Sequence, residues 1–168
     1  MWIKIFRNAF RSCTQTKLQT LQYEIIHRVY PCNHWLYMCK VIDSPLCNIC
    51  KLDDSLHHYF TSCCNLQDFW QNFNHWWNIT THSVVMLNEM NILLGFHESY
   101  SMSHTLNGCI ILAKCFIKDQ KLRCVTSFGL SDFLVYLKQV LDLKYLHCSL
   151  NGLMYYFGKQ WLQVYINI

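Results

Sequence analysis

Four potential metal ligands lie close together in this chain and constrain its fold more than any other feature. Cys47, Cys50, His58 and Cys63 follow the spacing C-x2-C-x7-H-x4-C. Three thiolates and one imidazole form a tetrahedral donor set that Zn²⁺ prefers, and four protein ligands leave no open position for water. The spacing therefore predicts a structural zinc site, in which the cofactor Zn²⁺ stabilises a short turn and catalyses no reaction.

Two neighbouring residues are alternative ligands, so the spacing does not fix the ligand set. His57 and Cys64 are also potential donors, and either can replace His58 or Cys63 after a one-residue change of register. Cysteine is also a common small core residue, and in a chain with 11 cysteines some C-x2-C spacing arises by chance. The C-x2-C pair also fits a redox dithiol, although the βαβ context typical of such pairs is absent.

The cysteines and the first residues indicate an intracellular protein. The number of cysteines, 11, is odd and their spacing is irregular, which argues against a disulfide framework. Lys4 and Arg7 interrupt the N-terminal segment where a secretory signal requires an unbroken apolar stretch. No window approaches the roughly 18 apolar residues of a membrane span, because Lys114 interrupts the best one. We therefore expect a soluble protein of the cytoplasm and nucleus, without a membrane partner.

Hydrophobic periodicity predicts a mainly α fold, a helical domain with one small CCHC zinc knuckle between helices. Apolar residues recur at intervals of three and four in segments 17–30, 65–77, 103–123 and 132–147. A short helix with Asn33 as its N-cap is expected after Pro31, and Ser131 is the expected cap of the helix that begins at Asp132. Residues 151–168 are expected to form a final helix, whereas residues 84–96 fit either a short helix or a pair of strands.

An aromatic stripe dominates the segment after the last potential ligand. Its members are spaced by three and four residues: Leu66, Phe69, Trp70, Phe73, Trp76 and Trp77. Such a stripe can stack on unpaired bases, but large rings at helical spacing are more often one buried face. We therefore expect these side chains in the core.

Positive charge is concentrated in two parts of the chain. The net charge is +4, and residues 1–40 hold six basic residues, including Lys17 and Arg28, against Glu24 alone. Lys114, Lys118 and Lys121 form a basic strip along the helix predicted over 103–123. These five lysine and arginine side chains are the candidate contacts to nucleic-acid phosphates, although a solvated helix face explains the same charges.

Several short segments form a specific set through their order and spacing. They are residues 17–31 (KLQTLQYEIIHRVYP), 33–36 (NHWL), 43–50 (DSPLCNIC), 58–63 (HYFTSC), 69–70 (FW) and 107–117 (NGCIILAKCFI). The segments up to residue 70 together resemble the zinc-binding region that follows the reverse transcriptase domain in LINE-type non-LTR retrotransposon proteins. Residues 107–117 resemble a helix found further downstream in such open reading frames. The resemblance is densest over residues 17–77. It implies that residues 1–16 are a remnant of a preceding segment, residues 17–80 the zinc-binding region and residues 81–168 a C-terminal helical extension.

The resemblance also implies a role, and the same four residues as zinc ligands. Such a module helps the polymerase to hold template RNA or target DNA, so its expected partners are nucleic acid and the reverse transcriptase domain, with no small-molecule substrate. The chain has no Tyr-x-Asp-Asp polymerase motif and no endonuclease segment, so we expect no enzymatic activity. The pair Asp53 and Asp54 lacks the aromatic residue of that motif and is expected in a solvent-exposed turn.

Two other interpretations of the whole chain stay open. The 52% hydrophobic content favours a structural element that packs on the polymerase without touching nucleic acid. A degenerate retrotransposon fragment is the other. The leading interpretation is a non-catalytic, zinc-stabilised module that binds RNA or DNA.

Overall fold

A computed structural model describes residues 2–96 and 102–168, and it confirms the mainly α fold. The described residues form eight α-helices and one π-helical turn between the third and fourth helices. Their bounds are α1 (Trp2–Ser12), α2 (Thr16–Ile26), α3 (Asn33–Met38), the π-turn (His58–Ser62), α4 (Cys64–Thr81), α5 (Glu89–Leu94), α6 (Ser103–Leu122), α7 (Leu130–Leu150) and α8 (Met154–Tyr165).

Helix α6 lies at the centre of the core. Its residues 105–117 are all buried, which is the pattern of a helix that neighbours surround on every side. Helices α1, α2, α7 and α8 all pack against it. Gly108 permits part of this packing, because a Cβ atom there would lie 2.7 Å from Cη2 of Trp161 in α8 and 3.1 Å from the carbonyl oxygen of Ser12 in α1.

The aromatic stripe of α4 is buried as predicted. Phe69 and Phe73 meet Phe133 of α7 with ring centroids 5.9 and 5.8 Å apart, and Phe69 stacks on Phe116 of α6 at 6.4 Å. Of the six predicted core side chains, only Trp76 is partly exposed. These rings join α4, α6 and α7 in one apolar layer, and the stripe serves as core rather than as a stacking surface.

The helix ends differ from the sequence predictions where side chains find other partners. Asn33 and Ser131 do not occupy the N-cap positions, which belong to Cys32 and Gly129. The Asn33 side chain instead donates to the carbonyl oxygen of Leu46 at 2.8 Å. Residues 84–96 contain the short helix α5, so the pair of strands is excluded there, and α1 is a helix that the periodicity did not predict.

The three predicted segments contribute to one hydrophobic core. Cys13, Leu66 and Leu137, one from each segment, belong to the same cluster of buried residues. No helix in the described ranges is both long enough and apolar enough to cross a membrane. The segment from Cys47 to Cys63, called the knuckle below, lies at the edge of this core, between α3 and α4.

Candidate metal centre

The first half of the centre is a tight reversal of the chain that presents Cys47 and Cys50. An isolated antiparallel bridge pairs Leu46 with Asp53, and the amide of Cys47 donates to the carbonyl oxygen of Leu52 at 2.7 Å. Lys51 closes the turn with a positive φ of 61°, a conformation that an L-residue adopts only when its surroundings enforce it. This reversal folds the C-x2-C pair back so that both sulfurs face the second half of the motif.

The second half of the centre depends on the π-turn, which directs the side chains of His58 and Cys63 to the same side of the chain. The amide of Cys63 donates to the carbonyl oxygen of His58 at 3.1 Å, a bond from residue i+5 to residue i. In an α-helix of 3.6 residues per turn, side chains five positions apart would differ in direction by about 140°. The wider turn removes most of this difference, so the x4 spacing becomes compatible with a shared ion.

The four side chains form one compact cluster. Their ligand atoms all lie within 4.8 Å of one another. The Sγ atoms of Cys47 and Cys63 are 3.9 Å apart, close to the roughly 3.8 Å expected for two thiolates on a tetrahedral ion with bonds of about 2.3 Å. Sγ of Cys50 and Nε2 of His58 are 3.1 Å apart. The cluster therefore has the donors of a zinc site and is compact enough to be a candidate for one.

The structure also decides between the neighbouring candidates. His57 is exposed, and its Nε2 forms a 2.6 Å hydrogen bond with the Glu89 carboxylate. Cys64 is exposed, and its thiol donates to Oδ1 of Asn65. His58 and Cys63 are instead 5% and 0% exposed and belong to the cluster. The one-residue alternatives are therefore excluded by where these side chains lie.

Backbone amides prepare Cys50 to carry negative charge. Burial opposes ionisation of this thiol, but hydrogen bonds from the backbone amides of Leu52 and Cys64 and from the cysteines at 47 and 63 outweigh that effect and lower its pKa. Cys64 is also the first residue of α4, so the positive end of the helix dipole lies beside the cluster. Both effects favour the thiolate, which is the form that binds metal.

Of the buried ligands, Cys63 needs a cation to reach its ligating form. Burial raises the pKa of Cys63 to about 12, against the opposing effects of Lys121 and of the Asn65 amide. A bound divalent ion reverses this balance, because a coordinated thiol is deprotonated outright. Burial lowers the pKa of His58, which favours the neutral imidazole that ligation requires. Cys63 thus depends on a bound cation for its ligating form, whereas His58 does not.

One of the predicted phosphate contacts is wrong. Lys114 is fully buried, and its Nζ donates to Oε1 of Gln22 and, at 3.2 Å, to the carbonyl oxygen of Leu93. Neighbouring helices enclose α6 on all sides around Lys114. The exposed part of the predicted basic strip therefore begins at Lys118, where α6 leaves the core. A phosphate outside the fold cannot reach this ammonium group.

The other four basic side chains reach solvent. Lys118 and Lys121 are partly exposed in the last turns of α6, and Lys17 of α2 lies 3.8 Å from Asp119 of the same region. Lys121 also donates to the Tyr59 carbonyl oxygen at 2.8 Å and lies over the Tyr59 ring. Arg28 is exposed just beyond the end of α2. The structure thus places three lysines around one end of α6, beside the knuckle.

The expected exposure of Asp54 is wrong, and the structure contains a groove beside it that the sequence did not predict. Asp53 is exposed as expected, but Asp54 is only 3% exposed, because its amide pairs with the carbonyl oxygen of Pro45 and its side chain lies under α3. Burial raises the pKa of Asp54, while Lys121 and the amide of Asn33 oppose that rise. Asp54 lines a groove of about 660 Å³ between the knuckle and the end of α6. No local sequence pattern indicates this groove, because its walls come from distant segments.

Comparisons with protein families, curated proteins and solved structures gave no match to this chain. What the chain does is therefore inferred from its own residues and their geometry. The cluster of three cysteines and one histidine is the feature with the most specific chemistry.

Proposed function

We propose that this chain is a zinc-binding module without catalytic activity, and that it contacts RNA or DNA for a LINE-type reverse transcriptase. The observation that carries the proposal is the buried cluster of Cys47, Cys50, His58 and Cys63. Soft sulfur donors with one imidazole favour Zn²⁺ over hard cations such as Mg²⁺ or Ca²⁺. A full set of four protein ligands leaves no position for a substrate, so the metal acts as a structural link between α3 and α4.

The nucleic-acid part of the proposal draws on charge. Lys118 and Lys121 line the groove beside the knuckle, and Lys17 is in the same region. Ammonium groups at the surface can replace the cations that are condensed on nucleic-acid phosphates. The release of these cations is the sequence-independent part of nucleic-acid binding. Exposed Arg28 provides a further candidate contact.

Elemental analysis beside circular dichroism tests the metal part. We expect one zinc per chain in the wild type, and loss of zinc together with part of the helicity in the variants Cys47→Ser and Cys63→Ser. Cys64→Ser is the matched control, because this exposed cysteine adjoins Cys63 but lies outside the cluster. A wild-type chain without zinc, or equal zinc loss in the control, would refute the assignment.

Fluorescence anisotropy with labelled RNA and DNA tests the nucleic-acid part. Affinity should fall steeply with salt, and the double variant Lys118→Ala, Lys17→Ala should reduce the slope of log K against log salt by roughly 1 to 2. A control variant, Lys159→Ala, removes one exposed lysine of α8 that does not line the groove, and it should change the slope less. Affinity that does not depend on salt, or no binding at low ionic strength, contradicts this part.

Exposed apolar side chains favour a second candidate function, an element that packs on a protein partner. Leu143 and Leu150 of α7 are 70% and 77% exposed, and Tyr155 of α8 is 73% exposed. Exposed side chains of this size in one region are typical of interaction surfaces. Sedimentation velocity of the isolated chain separates the two functions, because a monodisperse chain that retains affinity for nucleic acid rejects the second.

A further inference from the structure

Lys121 links the last turn of α6 to the π-turn of the metal centre. Its Nζ donates a 2.8 Å hydrogen bond to the carbonyl oxygen of Tyr59 and lies 4.2 Å from the centroid of the Tyr59 ring. Tyr59 directly follows the candidate ligand His58 and belongs to the π-turn that ends just before Cys63. Two contacts to one residue of this turn therefore fix an ammonium group beside the second half of the centre.

The metal-loaded centre would be a buried negative charge. Three thiolates outweigh one divalent ion by a single charge, and a neutral imidazole adds none. Cys47, His58 and Cys63 are all buried, so water can compensate little of this charge. A charge inside a protein is costly unless an opposite charge lies close to it. The centre therefore needs a cation of the protein nearby.

Lys121 is close enough to act on the candidate ligands. Burial raises the pKa of Cys63, and the positive charge of Lys121 is the largest of the effects that oppose this rise. Burial lowers the pKa of His58, and Lys121 adds to that effect. Lys51 is nearer to the ligands in sequence, but it is exposed and its Nζ donates to the carbonyl oxygen of Asn48 at 3.0 Å.

We propose that Lys121 is a positioning residue of the metal centre, whose ammonium group is the positive partner of the loaded cluster and is held in place by Tyr59. The inference rests on the proposed function, since it requires that the cluster binds zinc. It assigns Lys121 to the interior of the module, whereas Lys118 of the same helix stays a candidate phosphate contact. Residues that support metal ligands without touching the metal typically change metal affinity by about 10- to 100-fold when they are replaced.

Competition with a chromophoric chelator measures the zinc affinity of the full chain and of three variants. Lys121→Met removes the charge and the donor but keeps most of the length, and it should weaken zinc binding about tenfold or more. Lys121→Gln keeps a donor for the Tyr59 carbonyl oxygen without the charge, so its affinity should stay close to that of the methionine variant. Lys121→Arg keeps both properties and should remain within about threefold of the wild type.

Lys118→Met is the matched control. Lys118 lies on the same helix and lines the same groove, but it has neither of the two contacts that join Lys121 to Tyr59. Its replacement should leave the zinc affinity unchanged. In fluorescence anisotropy at saturating zinc the pattern should be reversed: Lys118→Met should reduce the slope of log K against log salt by about 1, and Lys121→Met should leave that slope unchanged.

The outcomes separate this inference from the proposed function. Wild-type zinc affinity in Lys121→Met overturns the inference and leaves the zinc module intact. Wild-type affinity in Lys121→Gln also overturns it, because the hydrogen bond rather than the charge is then what the centre needs, and so does an equal loss of affinity in Lys118→Met. A wild-type chain that binds no zinc refutes the proposed function itself. Circular dichroism at saturating zinc establishes that each variant is folded, and the comparison of Lys121→Gln with Lys121→Arg decides the matter should Lys121→Met not fold.

Discussion

Replacing Lys114 with methionine tests the physical cost of a charged group inside α6. This side chain is fully buried, and its only hydrogen-bond acceptors among the described residues are Oε1 of Gln22 and the carbonyl oxygen of Leu93. Burial lowers the pKa of Lys114 from 10.5 to about 7, and the partial opposing effect comes from Cys13. Methionine has a similar shape and no charge, so it preserves the packing and removes the titration.

The expected magnitude follows from proton linkage. Between pH 7 and pH 10 the unfolded chain holds this proton and the folded protein releases it, so the free energy of unfolding rises with pH. Because a change of one in pKa corresponds to about 1.36 kcal/mol, the ammonium group destabilises the fold by on the order of 4 kcal/mol at pH 7 and by about 1 kcal/mol at pH 10. The methionine variant lacks this dependence, but it leaves Oε1 of Gln22 unpaired at a cost of about 1 to 3 kcal/mol. The carbonyl oxygen of Leu93 keeps its 2.8 Å hydrogen bond from Nε2 of Gln22.

Urea unfolding of both proteins at several pH values, with zinc and a reductant present, measures the difference. The stability of the wild type relative to Lys114→Met should increase by about 3 kcal/mol from pH 7 to pH 10. Titration of the thiols is common to both proteins and cancels in this comparison. The variant Lys118→Met, one turn later on α6 and partly exposed, should show no such pH-dependent difference. Parallel pH profiles for wild type and Lys114→Met would refute the reasoning.

Four further changes test the packing and the metal. Gly108→Ala should lower the free energy of unfolding by about 1 to 3 kcal/mol, because the new methyl group collides with Trp161. At Gly158 a new methyl group meets nothing within 4 Å, so Gly158→Ala should raise the free energy of unfolding by about 0.5 to 1 kcal/mol. Trp70→Phe should lower the free energy of unfolding by about 2 kcal/mol in the same urea assay, because it removes the buried 2.8 Å hydrogen bond from the indole to the carbonyl oxygen of Phe60. An unchanged urea midpoint contradicts this prediction. A zinc chelator should reduce helicity and the melting temperature of the wild type, and added zinc, but not magnesium, should restore both.

The features that the sequence predicted correctly are those encoded within a few residues. The aromatic stripe of α4 repeats every three or four positions, and this period alone places Phe69 and Phe73 on one buried face. The motif of three cysteines and one histidine selected four side chains that the structure brings together, because its two halves are each short turns. The sequence left open whether His57 or His58 is a ligand, since both lie within reach until the π-turn fixes their directions.

Long-range packing determined the features that the sequence did not predict. Lys114 belongs to a basic strip when α6 is viewed alone, and only the helices that surround α6 convert it into a buried amine. Asp54 adjoins exposed Asp53, and its burial depends on α3, which begins at Asn33, 21 residues earlier in the chain. Local sequence thus determined which segments become helices and which residues can hold a metal, because hydrophobic period and ligand spacing act over one or two turns. Tertiary structure alone determined which charges face solvent and where the groove lies, because burial is a property of the neighbours that the folded chain brings from elsewhere.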